Sequence, residues 1–220
     1  MIDSKTFSEK VQESFGWLTE LGYSFRQIDT NIYFEKVNQN EAYAIGFSWS
    51  EYNEILVNGF TAYKRFNNVE HILQEVIGGA LDYTIKHHWQ GKIPKELKKV
   101  KDQQYFANAF YIADISEVEI FSKAVKYFFE ADAKSFFNKY SKLNNVINEM
   151  EKLPGDKKAS MIVNSGNSIF MRIMAIKYFV EPKDGEKFYK ETLKELSPLK
   201  SQRVFGDILQ KMDNLKAKLI

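Results

Sequence analysis

No cysteine occurs in the 220 residues, which excludes disulfides, thiol catalysis and cysteine-ligated zinc or iron–sulfur centres. Histidine is nearly as scarce, at three residues, His71, His87 and His88. Only Arg26, Arg65, Arg172 and Arg203 among the 31 basic residues are arginine. Phosphate and base-edge recognition favours arginine's planar fork, so a lysine-dominated chain of net charge +2 is expected to bind no nucleic acid. Charge is also spread evenly: residues 1–100 carry −2 and the remainder +4, too slight an asymmetry to select a partner. Long hydrophobic runs are missing too. The most apolar stretch, Ile169–Val180, is interrupted by Arg172 and Lys177 and falls short of the roughly 20 residues that cross a bilayer. Residues 1–10 hold no apolar segment of the signal-peptide kind. The expectation is a soluble, cytoplasmic protein with no membrane partner.

What is present is an ordinary globular composition, 44% hydrophobic and 27% charged, long enough for one large domain or two small ones. The most informative stretch is residues 23–66, which reads as an antiparallel meander. A turn at Gln39 and Asn40 sets Lys36 opposite Tyr43, Phe34 opposite Ile45, Ile32 opposite Phe47 and Thr30 opposite Trp49. Because strand side chains alternate, that register gathers Ile32, Phe34, Tyr43, Ile45, Phe47 and Trp49 on one face. The other face receives Tyr33, Glu35, Ala42, Ala44, Gly46 and Ser48. Residues 55–66 change phase midway, and a bulge at Asn58 and Gly59 would reconcile the two halves. Tyr23 and Phe25 form a weaker first strand, closed by turn chemistry at Asp29, Thr30 and Asn31.

Helices flank this sheet. Thr6 and Glu9 have capping-box spacing, and Phe7, Val11, Phe15, Leu18 and Leu21 share one face until Gly22. Asn67 or Asn68 would cap a second helix reaching Trp89, with Val69, Ile72, Leu73, Val76, Ala80, Tyr83 and Thr84 on its apolar arc. Residues 92–104, with Pro94 and a lysine patch, read as a linker or loop. Residues 105–112 suit a buried strand or a helix start. Beyond them the pattern is helical: Ser116 and Glu119 before one apolar stripe, a break near Ser141, the nearly all-apolar Ile169–Val180 as central helix, Asp184 capping the next, and Ser197 with Pro198 opening the last. The fold class expected is therefore α+β, with an N-terminal helix, a four-stranded antiparallel meander and a helix, followed by an all-helical C-terminal half. The domains would be an α-β-β-β-β-α unit over 1–91 and a helical bundle over 105–220.

Chemistry is thinly represented. Adjacent residues on a helix point apart, so His87 and His88 would not share a metal, and no metal or other cofactor is expected. No G-x-S-x-G elbow, Walker lysine or G-x-G-x-x-G occurs. Asn164, Ser165, Gly166, Asn167 and Ser168 resemble an anion cradle but serve better as a cap and turn. The sheet's small-residue face could instead form a shallow trough if the early helices cover the opposite side. Its partner-binding candidates are Tyr33, Glu35, Ala44, Gly46 and Ser48, with Tyr52 and Trp89 as exposed aromatic anchors. Burial of Ala44 would remove the open trough. The leading expectation is a non-enzymatic cytoplasmic module that binds another protein, the role small bacterial α+β proteins serve in immunity or regulation. The competing one is a small-molecule binder or hydrolytic enzyme whose site lies between sheet unit and helical half, near Tyr83, His87 and Arg172.

Overall fold

The computed structural model describes residues 2–51, 54–89, 109–153, 162–164 and 169–220. The expected linker at 92–104 and the anchor Tyr52 lie outside the described residues. Helices and one seven-stranded antiparallel sheet make an α+β fold, with helices filling most of the C-terminal half.

The first helix, α1 (Ser4–Ser14), starts earlier than the Thr6–Glu9 spacing suggests. Asp3 is its cap, accepting from the Thr6 backbone N–H at 2.9 Å. Helical geometry then lapses at Phe15 before a second short helix, α2 (Gly16–Glu20). Gly22, at φ +85°, ends it. Its N–H and that of Tyr23 bond back to the carbonyls of Thr19 and Leu18, the paired bonds of a left-handed glycine stop.

Strands β1 (Ser24–Ile28) and β2 (Asn31–Val37) form a tight hairpin across Asp29 and Thr30. Asp29 takes the left-handed conformation, φ +50°, that such turns demand and that aspartate tolerates. Strand β3 (Glu41–Glu51) pairs with β2 in the expected register, Lys36 to Tyr43, Phe34 to Ile45 and Ile32 to Phe47. Trp49 lies beyond the ladder but still donates its N–H to the Thr30 carbonyl at 3.0 Å. The next run is two strands rather than one bulged strand: β4 (Ile55–Asn58) and β5 (Thr61–Phe66), separated at Gly59, φ +67°. The order β1-β2-β3-β4-β7 is completed by β5, which pairs β3 and β6.

The largest departure from expectation follows β5. Helix α3 (Asn67–Ile77) stops well before Trp89, because Gly78 and Gly79 adopt φ +79° and +85°. Neither Asn67 nor Asn68 is its cap; that position is Phe66, without a side-chain bond. Residues 85–88 are strand β6 (Ile85–His88), so His87 and His88 are strand residues on opposite faces. Strand β7 (Ala109–Ile112) pairs with β4 and puts a strand inside the otherwise helical half.

Helix α4 (Glu117–Phe128) follows, preceded by a carboxylate turn in place of the expected Ser116–Glu119 box: Asp114 accepts from Ser116, and Glu117 from the N–H groups of Ala113 and Asp114. A π-helical turn, Phe129–Ala133, joins it to α5 (Lys134–Lys139). The break near Ser141 leads to α6 (Leu143–Lys152). Helix α7 (Ile169–Val180) has the expected bounds. Helix α8 (Pro182–Leu196) is capped by Glu181, not Asp184, with Pro182 in its first turn. Ser197 and Pro198 fall in a single 3₁₀ turn, and the terminal helix, α9 (Arg203–Leu219), begins beyond it.

Two compact units are interleaved along the chain rather than consecutive at residues 91 and 105. One comprises residues 1–38, 42–63 and 87–138; the other comprises 39–41, 64–86 and 139–220. The first unit packs α1, α2 and α4 on the bulky sheet face. Phe15, with no exposed surface, stacks on Phe34 at 5.0 Å and meets Phe121 at 5.5 Å, while Phe7 packs edge-on against Trp49. In the second unit, α7 is buried on most of its circumference, in contact with α3, α6, α8 and α9.

Candidate protein-binding face

The register that buries Phe34 and Ile45 also builds the opposite face. Across β1, β2 and β3, the pairs Arg26 with Tyr33 and Tyr33 with Gly46 form one transverse row. Gly46 is the small member of that row. A Cβ there would come within 2.7 Å of Tyr33 Cδ1 and 3.0 Å of Tyr63 Cε2, so both rings lean over a position that only glycine leaves open. The rings lie 5.8 Å apart at 60°. The Arg26 guanidinium sits 5.2 Å from the Tyr33 ring centroid, and its Nε is 3.7 Å from Glu35.

This arrangement replaces the trough. Ala42 and Ala44 have no exposed surface, and Gly46 is buried beneath the tyrosines, so the small residues are a floor rather than an accessible groove. Tyr33, Glu35 and Ser48 remain part-exposed, with Arg26 and Tyr63 beside them. The row therefore presents an arginine–tyrosine–tyrosine surface with a fixed geometry.

Trp89 does not belong to it. It is 3% exposed and stacks on Phe60 at 4.9 Å, so its position past the supposed apolar arc was a position in the core. The residues of the ligand-site alternative divide between the units: His87 falls in the first, Tyr83 and Arg172 in the second. His87 is part-exposed, lies parallel to Phe136 at 5.5 Å, and holds Nε2 3.7 Å from Asp132. Arg172 is 2% exposed and held on several sides. It forks onto Glu70 at 2.7 and 2.8 Å, reaches Asp82 at 3.2 Å, and donates to the Asn164 carbonyl at 2.7 Å. Tyr83 is buried under Arg65, and its N–H bonds the Asp82 carboxylate. These contacts tie α3, the segment after it and the start of α7 together, and they leave the guanidinium few donors for a ligand. Of the segment 164–168, read as a cap and turn, residues 165–168 lie outside the described residues.

Arg26 and Tyr63 were missed from sequence. Gly46 inside a strand was the available signal, since an interior glycine marks close approach by another group, and carrying the register past Gly59 would have set Tyr63 beside it. No metal-binding group of three or more ligating side chains occurs among the described residues. No helix of the described chain is long and apolar enough to cross a membrane. Compared with family models, curated proteins and solved structures, the chain matches none.

Proposed function

We propose that this chain is a non-enzymatic protein-interaction module that engages another protein through the face carrying Arg26, Tyr33 and Tyr63, in a cytoplasmic immunity or regulatory role of the bacterial kind. The single observation behind this reading is the Tyr33–Tyr63 pair held over Gly46. Tyrosine and arginine are enriched in binding hot spots, tyrosine because its ring offers a large contact area for little lost rotamer freedom and arginine because its planar fork pairs and stacks directionally. Here the rings are already wedged against a fixed floor, so little ordering entropy remains to oppose association. The Arg26 guanidinium, close to Tyr33 and Glu35, adds a directional polar contact beside the apolar rings.

The test begins with a photo-crosslinking amino acid at Ser48, which borders the row, to identify the partner in the source cell. Calorimetry with the purified pair then compares wild type with Tyr63→Ala and Arg26→Ala, each checked for folding by circular dichroism. The expected loss is about tenfold or more in affinity for each folded variant. Affinities within about twofold of wild type for both would remove this face as the binding surface.

A further inference from the structure

A second surface of the first unit, independent of the protein-binding reading, has the makings of a ligand site. Helices α1 and α4 enclose a half-open groove of about 380 Å³, with Trp17 of α2 among its lining residues. Pockets of this size accept small molecules when a rigid apolar surface lies beside a few polar groups. Trp17 is the part-exposed tryptophan of the chain; Trp49 and Trp89 are 4% and 3% exposed. Its ring is locked in place. The indole N–H donates to Ser122 Oγ at 3.1 Å, and that hydroxyl donates to the Ser14 carbonyl at 2.7 Å, a group left without a helical partner by the lapse at Phe15. Phe129 packs edge-on against the ring at 5.4 Å.

The charges around this ring are arranged unusually. Glu119 stands four residues before Lys123 on α4, the spacing of a helical ion pair. It reaches instead across the groove to Lys10, at 3.3 Å, where Glu13 also binds at 3.2 Å. Both hold the Lys10 ammonium, raising its pKa, the Glu13 hydrogen bond most. Glu130, four residues after Lys126, is likewise turned to Lys134. Lys123 and Lys126 thus have no carboxylate partner among the described residues, and Lys126 Nζ rests 5.6 Å from the Trp17 centroid. The groove thus holds three ammonium groups, Lys10, Lys123 and Lys126, against two carboxylates, Glu13 and Glu119, a net of +1, and both carboxylates turn to Lys10 rather than to the other two lysines.

We propose that this groove binds a small organic carboxylate with a flat apolar body, the carboxylate on Lys123 and Lys126 and the flat body on the Trp17 ring in place of the Lys126 ammonium.

Benzoate is the probe. The full chain is titrated while tryptophan emission is followed, with Trp17→Phe as the blank that isolates the Trp17 signal. A saturable change is expected, abolished in the Lys123→Ala/Lys126→Ala double variant, whose exposed positions leave the helical circular dichroism intact. Inorganic phosphate should give less than about a tenth of the apparent affinity, because it brings charge without a stacking surface. A response that never saturates, survives the double variant, or is matched by phosphate would overturn the proposal. So would tighter binding of an acidic aromatic dipeptide amide than of benzoate, which would place the carboxylate on a partner protein.

Discussion

Gly46 sits directly across from Tyr33 in the β2–β3 ladder, and a methyl group at Gly46 would lie 2.7 Å from Tyr33 Cδ1. The ring atom is close to the Tyr33 backbone and cannot simply swing aside, so Gly46→Ala should cost about 1–3 kcal/mol through overpacking. Urea denaturation measures it. In a Tyr33→Ala background the same substitution should cost clearly less, because the closest ring is gone and only Tyr63 Cε2, at 3.0 Å, still crowds the new methyl group. Equal costs in the two backgrounds would show that the tyrosine is not wedged on the glycine.

Arg172 and Glu70, each 2% exposed, form a forked ion pair inside the second unit. Arg172→Met strands a buried carboxylate and should destabilise by about 3–5 kcal/mol. Converting both partners to apolar residues, Glu70→Leu with Arg172→Met, should lose less than the single change, since no buried carboxylate is left behind and the remaining one, Asp82, is 44% exposed to water. Thermal and chemical denaturation of the two variants beside wild type would reveal the opposite order if the pair were unimportant.

Gly78 ends α3 at φ +79° and ψ −175°, a region closed to residues with a Cβ, and the space around it is open. Gly78→Ala should therefore cost about 1–3 kcal/mol from backbone strain alone. Had the helix run on to Trp89, alanine would stabilise instead, so the sign of the change in a denaturation curve decides.

Glu186 is drawn down from 4.5 to about 2, chiefly by the hydrogen bond from Lys216 and next by that from Tyr178. A carboxylate with a depressed folded pKa adds stability above its unfolded value and loses it as pH falls. The contribution is thus full above about pH 4.5, declines below it, and is gone once pH has dropped through about 2. Carbon-detected NMR should place the Glu186 midpoint near the lower figure and show it rising in Lys216→Met; an unmoved midpoint would discount the contact.

Legibility followed the range of the interactions. The β2–β3 register could be read because a one-residue slip would mix large and small side chains, and both strands adjoin their turn. The left-handed glycine at Gly22 and the bounds of α7 were legible for similar local reasons. Past Gly78 the same reading failed. Val76, Ala80 and Tyr83 continued a helical spacing, and that periodicity outweighed two consecutive glycines, although the glycines decided the backbone. The candidate face was half visible: Tyr33, Glu35, Gly46 and Ser48 were placed on one side, but Tyr63 comes from a strand whose phase was lost at Gly59.

The sequence by itself determined which side chains of β2 and β3 share a face, where the apolar α7 runs, and that cysteine chemistry is excluded, because alternation, hydrophobic length and composition are local properties. Only the tertiary structure decided that residues 85–88 pair as a strand, that Ala44 is covered, that Trp89 is core, and that Arg172 closes on Glu70. Each of those depends on partners distant in the chain, and burial or pairing at such range is set by what the fold brings alongside, which no local pattern records.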